Sequence, residues 1–143
     1  MEIMSERLRL SIGNDLHELE RLRCEVEAFL ERGGVSGRAA YHIQLALDEL
    51  VTNVISYASP PDRPCGIELV LERGPDAVDM TLEDDGDPFN PLQAPEPDVN
   101  APLEARPIGG LGIHFVRKIM DQLSYERKNG RNILFIRKKT NQE

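Results

Sequence analysis

Ala46-Leu47-Asp48-Glu49-Leu50-Val51-Thr52-Asn53-Val54-Ile55-Ser56-Tyr57 is the stretch from which the rest of the chain is read. With Ile43 upstream, Leu47, Leu50, Val51 and Val54 recur at spacings of three and four, the apolar stripe of an amphipathic helix. At about 100° per residue, Glu49, Thr52, Asn53 and Ser56 share the opposite face. Glu49 and Asn53 lie four apart, so they are neighbours on one edge of that helix. A carboxylate beside a carboxamide oxygen can hold Mg²⁺, or the carboxylate can take a proton. On spacing alone, an ordinary solvated face explains the pattern better.

Working outward, Ser36 is positioned to cap this helix, which runs through about Ser56 and is closed by Ser59-Pro60-Pro61-Asp62. Before it, Arg7-Leu8-Arg9-Leu10-Ser11-Ile12 alternates polar and apolar, the mark of a half-buried strand. Asn14 or Asp15 can cap a first helix with the stripe Leu16, Leu19, Leu22 or Cys24, Val26, Phe29 and Leu30, ended by Gly33-Gly34. After it, Ile67–Leu71 and Ala77–Leu82 read as strands joined at Gly74-Pro75-Asp76. Asp84 to Ile108 has no periodicity and holds six prolines, the profile of a lid or binding loop. Gly109-Gly110-Leu111-Gly112 opens a helix to about Met120. Leu123–Lys128 and Arg131–Lys138 flank Asn129-Gly130, the strongest short hairpin signal. The order β-α-α-β-β-loop-α-β-β predicts a two-layer α/β sandwich: a mixed, mostly antiparallel sheet covered on one face by about three helices.

The chain has 143 residues, 17 basic and 25 acidic, for a net charge of −8, with 40% hydrophobic and 29% charged residues. These values suit one soluble domain spanning 1–143. No apolar run reaches the length of a membrane span, and no signal peptide is visible, so a cytoplasmic setting is expected. Cys24 and Cys65 read as two free thiols, and the three histidines carry no zinc pattern. The acidic total argues against nucleic acid as a direct ligand. Residues 1–105 carry eight basic and 22 acidic side chains, whereas residues 106–143 carry nine and three. That basic tail can face an anionic ligand or an acidic partner, and a solvated helix face and strand edge explain it at least as well.

Two turns carry further chemistry. Asp84-Asp85-Gly86-Asp87-Pro88-Phe89 directly follows a strand. There a carboxylate can accept a hydrogen bond from an exocyclic amine, and Gly86 permits a positive φ and close approach of a ligand. The same composition is what any turn uses. Gly109-Gly110-Leu111-Gly112 before a helix converges backbone amides on the positive end of a helix dipole, which suits phosphate. It is neither a P-loop nor a dinucleotide fingerprint.

Taken together and in this order, the Glu-x-x-x-Asn helix, the Asp-x-Gly turn, the Pro-rich segment and the Gly-x-Gly helix start resemble the Bergerat-type nucleotide fold of the GHKL ATPases. The likeness is greatest to the small bacterial anti-sigma factor serine kinases. The terminal Tyr125–Asn132 hairpin also looks like the last strands of that family. The resemblance implies ATP and Mg²⁺ as cofactors, with Asn53 the metal ligand and Glu49 the general base toward an incoming serine hydroxyl. Asp84 then reads the adenine amino group, Gly86 lets the base approach, and Gly110 and Gly112 hold the phosphates. Pro88, Phe89, Gly109 and Leu111 complete the nucleotide-binding set, under a lid of about 87–109. It further implies a sigma factor and a STAS-type anti-anti-sigma protein as partners, the latter phosphorylated on serine. Pro88 stands where many relatives carry a second Gly, which stiffens the loop. The lid arginine that some members place two residues before the Gly-x-Gly is Ile108 here, and Arg106 is the candidate to replace it. Without an arginine at the γ-phosphate a rate factor is lost, so the alternative is a nucleotide-gated binding module without effective kinase activity. A homodimer is also expected, because the first strand is a potential open sheet edge.

Overall fold

The computed structural model describes residues 6–60, 62–93 and 110–140. Strand β1 (Glu6–Ile12) leads into helices α1 (Glu18–Arg32) and α2 (Gly37–Asn53), the latter continued by a π-helical turn (Val54–Ala58). Strands β2 (Ile67–Arg73) and β3 (Ala77–Asp84) follow, then a short 3₁₀ turn (Pro91–Gln93), helix α3 (Gly110–Ile119) and strands β4 (Gln122–Lys128) and β5 (Arg131–Lys139). The sheet order is β1-β2-β3-β5-β4. Every pairing in it is antiparallel, so no parallel pair is mixed in among the described residues.

The two-layer arrangement follows from period-2 burial. Leu69 and Leu71 on β2, Val78, Met80 and Leu82 on β3, and Leu134 and Ile136 on β5 all point to one face and are buried. Against them pack the stripes of α1 (Leu19, Leu22, Val26, Phe29, Leu30) and α2 (Ile43, Ala46, Leu47, Leu50, Val51), with Ile113 and Val116 of α3. The strict alternation on β3 carries one step past Leu82 and puts the Asp84 carboxylate on the same inward face, 2% exposed. The β4–β5 turn has Asn129 at φ 53° and Gly130 at φ 75°, the pair of positive angles that an Asn-Gly hairpin requires.

The expected elements form, with four local differences. Leu16 is 56% exposed because α1 begins two residues later, at Glu18, and leaves it in the preceding turn. Leu22, not Cys24, continues the α1 stripe, since Leu22 is fully buried and Cys24 exposed. Asp15 shapes that turn, its Oδ1 accepting from the His17 amide at 2.9 Å, whereas the Ser36 hydroxyl makes no cap hydrogen bond at α2. Finally, α2 stays α-helical only to Asn53 and then widens, with the Ser59 amide donating to the Val54 carbonyl at 3.0 Å. Such π-turns are frequent at functional sites.

Part of the charge of the basic end is paired inside the sheet. Strand β5, from the basic end of the chain, lies beside β3, and on the face away from the helices Arg137 grips Asp79 with two hydrogen bonds of 2.6 and 2.9 Å. Arg131 reaches Glu83 at 3.1 Å and Glu68 at 3.9 Å on the same side. Lys138 donates to the Ile119 carbonyl at 2.8 Å, satisfying the C-terminal end of α3.

Candidate active site

Three parts of the chain meet at one end of the sandwich. The first is the polar edge of α2. Glu49 is half-buried, while Asn53 is only 3% exposed, so at Asn53 this edge is not the solvated face that spacing alone suggested. Helix α3 packs on α2 here. The second part is the start of α3. Gly112 lies so close to α2 that a Cβ on it would overlap the Glu49 carboxyl group. Only a glycine allows this approach without displacing the carboxylate.

Burial raises the pKa of Glu49 above the ordinary carboxylate value of 4.5. The adjacent Asn53 amide offsets part of that rise, and the charge of Asp48 adds to it. Asn53 Nδ2 nevertheless has no acceptor at hydrogen-bond geometry. A buried amide with an idle end is one that awaits a partner.

The third part is the end of β3 and the loop after it. A narrow, nearly filled cleft with free room for about one water molecule is lined by Leu50 and Val54 of α2, Leu82 and Asp84 of β3, Phe89, Pro91, Tyr125, Asn132 and Leu134. Its walls are apolar apart from Asp84, Asn132 and the Tyr125 hydroxyl. Asp84 Oδ1 accepts from the Gly86 amide at 2.9 Å and from Asn132 Nδ2 at 2.8 Å. Burial raises the Asp84 pKa, and the Asn132 and Gly86 hydrogen bonds together with the Arg127 charge work against that rise.

Gly86 is needed for a reason other than its backbone angle, since it is not among the glycines with positive φ. A Cβ there would overlap the carbonyl of Ala58, at the end of the π-turn. The Asp87 amide donates to that same carbonyl at 2.8 Å, so widening α2 is what docks the Asp-x-Gly turn onto the helix. Phe89 lines the cleft and stacks on Tyr57, with ring centroids 5.5 Å apart and planes at 25°. Pro88 is exposed and is not part of the lining. Gly110 opens α3 with Leu111 after it, and Arg106 and Gly109 lie outside the described residues, as does most of the 87–109 segment.

Sequence reasoning missed Asn132, Tyr125 and Arg127. Asn132 sits opposite Asp84 in the β3–β5 register, and Arg127 donates to the Gly86 carbonyl at 2.8 Å. The Asn129-Gly130 turn fixes which residue of β5 comes opposite which residue of β4. It gives no sign that β5 lies against β3.

An inward carboxylate closing one end of an apolar cleft, with a Glu–Asn helix edge and a glycine-opened helix beside it, is the layout of a Bergerat-type ATP-binding domain. The chain belongs to the histidine kinase-like ATPase family, whose domain model matches residues 12–138. It is 33% identical over 99 residues to the serine/threonine-protein kinase BtrW of Bordetella bronchiseptica, covering 69% of this chain and 70% of that one. To the serine-protein kinase RsbW of Bacillus mycoides it is 23% identical over 133 residues, covering 90% and 82%. These likenesses put it in the serine/threonine-protein kinase branch of the family. Among solved structures, the histidine kinase domain of the blue-light activated histidine kinase EL346 from Erythrobacter litoralis matches with a TM-score of 0.54 at 16% identity. That match covers 87% of this chain, which spans 60% of the length of the other, and it shows a shared fold.

Proposed function

We propose that this chain binds ATP with Mg²⁺ and transfers the γ-phosphoryl group to a serine of a STAS-type anti-anti-sigma protein, while also binding a sigma factor. The observation that carries this reading is the contact between Gly112 and the Glu49 carboxyl. In that contact the start of α3, where this reading has the phosphates, meets a half-buried carboxylate, which this reading takes as the base. The kinase names of BtrW and RsbW support the same reaction class.

In this reading the Asp84 oxygen that has no donor among the described residues accepts a hydrogen bond from the 6-amino group of adenine, and the aliphatic and aromatic cleft walls hold its faces. The backbone amides of Gly110 and Gly112 hold phosphate oxygens at the positive end of α3. The idle, buried Asn53 amide fits a hard cation as a single oxygen donor, the remaining positions falling to phosphate and water. Bound Mg²⁺ would neutralise the charge of the transferring phosphoryl group. Glu49 takes the proton from the serine hydroxyl as its oxygen bonds to the γ-phosphorus and the bond to ADP breaks. A pKa raised by burial brings this base closer to neutral pH, which favours proton transfer. Arg106 remains the proposed partner of the γ-phosphate.

Isothermal titration with ATP and Mg²⁺, run beside Asn53→Ala, tests the binding step. Strong Mg²⁺-dependent binding in the parent and its weakening in the variant are expected, and equal binding by both would overturn the metal assignment. Incubation with labelled ATP and candidate STAS proteins tests transfer, and ATP binding without transfer would favour a nucleotide-gated binder.

A further inference from the structure

Asn132, opposite Asp84 on β5, is 4% exposed, and its hydrogen-bonding capacity is spent entirely within the protein. Its Nδ2 donates to Asp84 Oδ1 and to the Asp87 carbonyl, both at 2.8 Å. Its Oδ1 accepts from the Phe89 amide at 3.1 Å and from the Tyr125 hydroxyl at 2.5 Å. A carboxamide has two donors and one oxygen with two lone pairs, so nothing is left for a ligand. The Phe89 amide, which can only donate, and the Asp87 carbonyl, which can only accept, decide which end is nitrogen. The consequence falls on Asp84. With Gly86 and Asn132 both donating to Oδ1, that oxygen is saturated, and Oδ2 is the one left to face the cleft.

We propose that Asn132 is the specificity-determining positioning residue of the base pocket: it selects the Asp84 oxygen offered to the nucleotide and pins the 87–89 loop as the cleft wall. Preference for a 6-amino purine then depends on a side chain whose own hydrogen bonds are all made within the protein. The inference rests on the reading of Asp84 as the acceptor for adenine. A 6-oxo purine would set an acceptor against that carboxylate, and a purine with hydrogen at position 6 would leave it unpaired, so both should bind less well than adenine.

The test measures affinities for ATP, GTP and purine riboside 5′-triphosphate, each with Mg²⁺, in the parent, in Asn132→Leu and in Tyr125→Phe. A hydrogen bond to a charged group predicts a parental preference for ATP over the 6-H analogue of roughly 10- to 100-fold. In Asn132→Leu the ratio should fall to about threefold or less, on top of whatever affinity all three nucleotides lose together when the 87–89 loop is released. Tyr125→Phe removes one donor to Asn132 while leaving Asp84 alone, and should narrow the ratio partway. It decides the matter if Asn132→Leu does not fold. Equal weakening of all three nucleotides would mean a purely structural role and overturn the proposal, as would an unchanged ratio. Absence of any preference in the parent would overturn the Asp84 assignment as well, which separates the two failures.

Discussion

Gly112→Ala is the most discriminating substitution in this protein. The added methyl group would occupy the space of the Glu49 carboxyl, which is the far end of a flexible side chain, so the carboxylate should swing away while the backbone stays. The cost to the fold is therefore small. Replacing Gly by Ala inside a helix is worth about 0.5–1 kcal/mol in favour of Ala, less in a first turn such as this one. Moving a carboxylate whose pKa burial has raised toward water also relieves a desolvation penalty. Net stability should change by no more than about 1 kcal/mol, with a melting temperature equal to or above that of the parent. Catalysis should not survive. A positioned general base contributes about 10²- to 10⁴-fold, and a displacement of the order of 1 Å can forfeit about 10²-fold. Initial rates of phosphoryl transfer should fall by at least about 10²-fold, while the Kd for ATP changes by less than about tenfold. The pair of measurements is a thermal melt and a transfer assay, repeated in a Glu49→Gln background. There the residual rate should drop little further, because the two residues act as a unit. Full activity in Gly112→Ala, or an equal loss with and without Glu49, would refute the reasoning.

Other outcomes follow from the same geometry. Because the folded pKa of Glu49 is raised, the protein binds that proton more tightly when folded. The resulting stability is present below the ordinary value of 4.5 and is lost as pH rises through the folded pKa. Glu49→Gln should therefore raise the melting temperature at pH 7 while abolishing transfer and sparing ATP binding; a lower melting temperature would contradict it. In the parent, the transfer rate should fall on acidification in a limb centred above pH 4.5, measured as kcat against pH. Gly86→Ala meets the Ala58 carbonyl, a rigid backbone atom, and should cost about 1–3 kcal/mol in chemical denaturation with loss of ATP affinity. Strand β1 is at the sheet edge, and light scattering at low concentration should report a homodimer if that edge is paired, a monomer if it is not.

Much of the architecture was legible because it is local. Alternation specified β2 and β3, the Asn-Gly dipeptide specified the last hairpin, and the three-four stripe specified α1 and α2. Glu49 and Asn53 were legible as neighbours for the same reason, being one turn apart on one helix. Period 2 also suffices to put Asp84 on the inner face once Val78, Met80 and Leu82 are there. Spacing suggests solvated surroundings for Asn53, but burial on this edge of α2 depends on segments remote in sequence, such as α3, which packs on α2 from nearly 60 residues further along. Likewise, that Arg131 and Arg137 of the basic tail pair with acids of β2 and β3 depends on β5 lying between β3 and β4.

Residue periodicity and turn chemistry act over a few positions, and so the helices, strands, hairpins and the inward direction of each side chain were written in the order of amino acids. Strand order, the π-widening of α2 that seats Gly86 under Ala58, the Gly112–Glu49 contact and the hydrogen bond from Asn132 to Asp84 depend on segments tens of residues apart. No local propensity encodes such meetings. They arise when burying several apolar faces against one sheet leaves a single compatible packing, and the chemistry of the site resides in those long-range contacts.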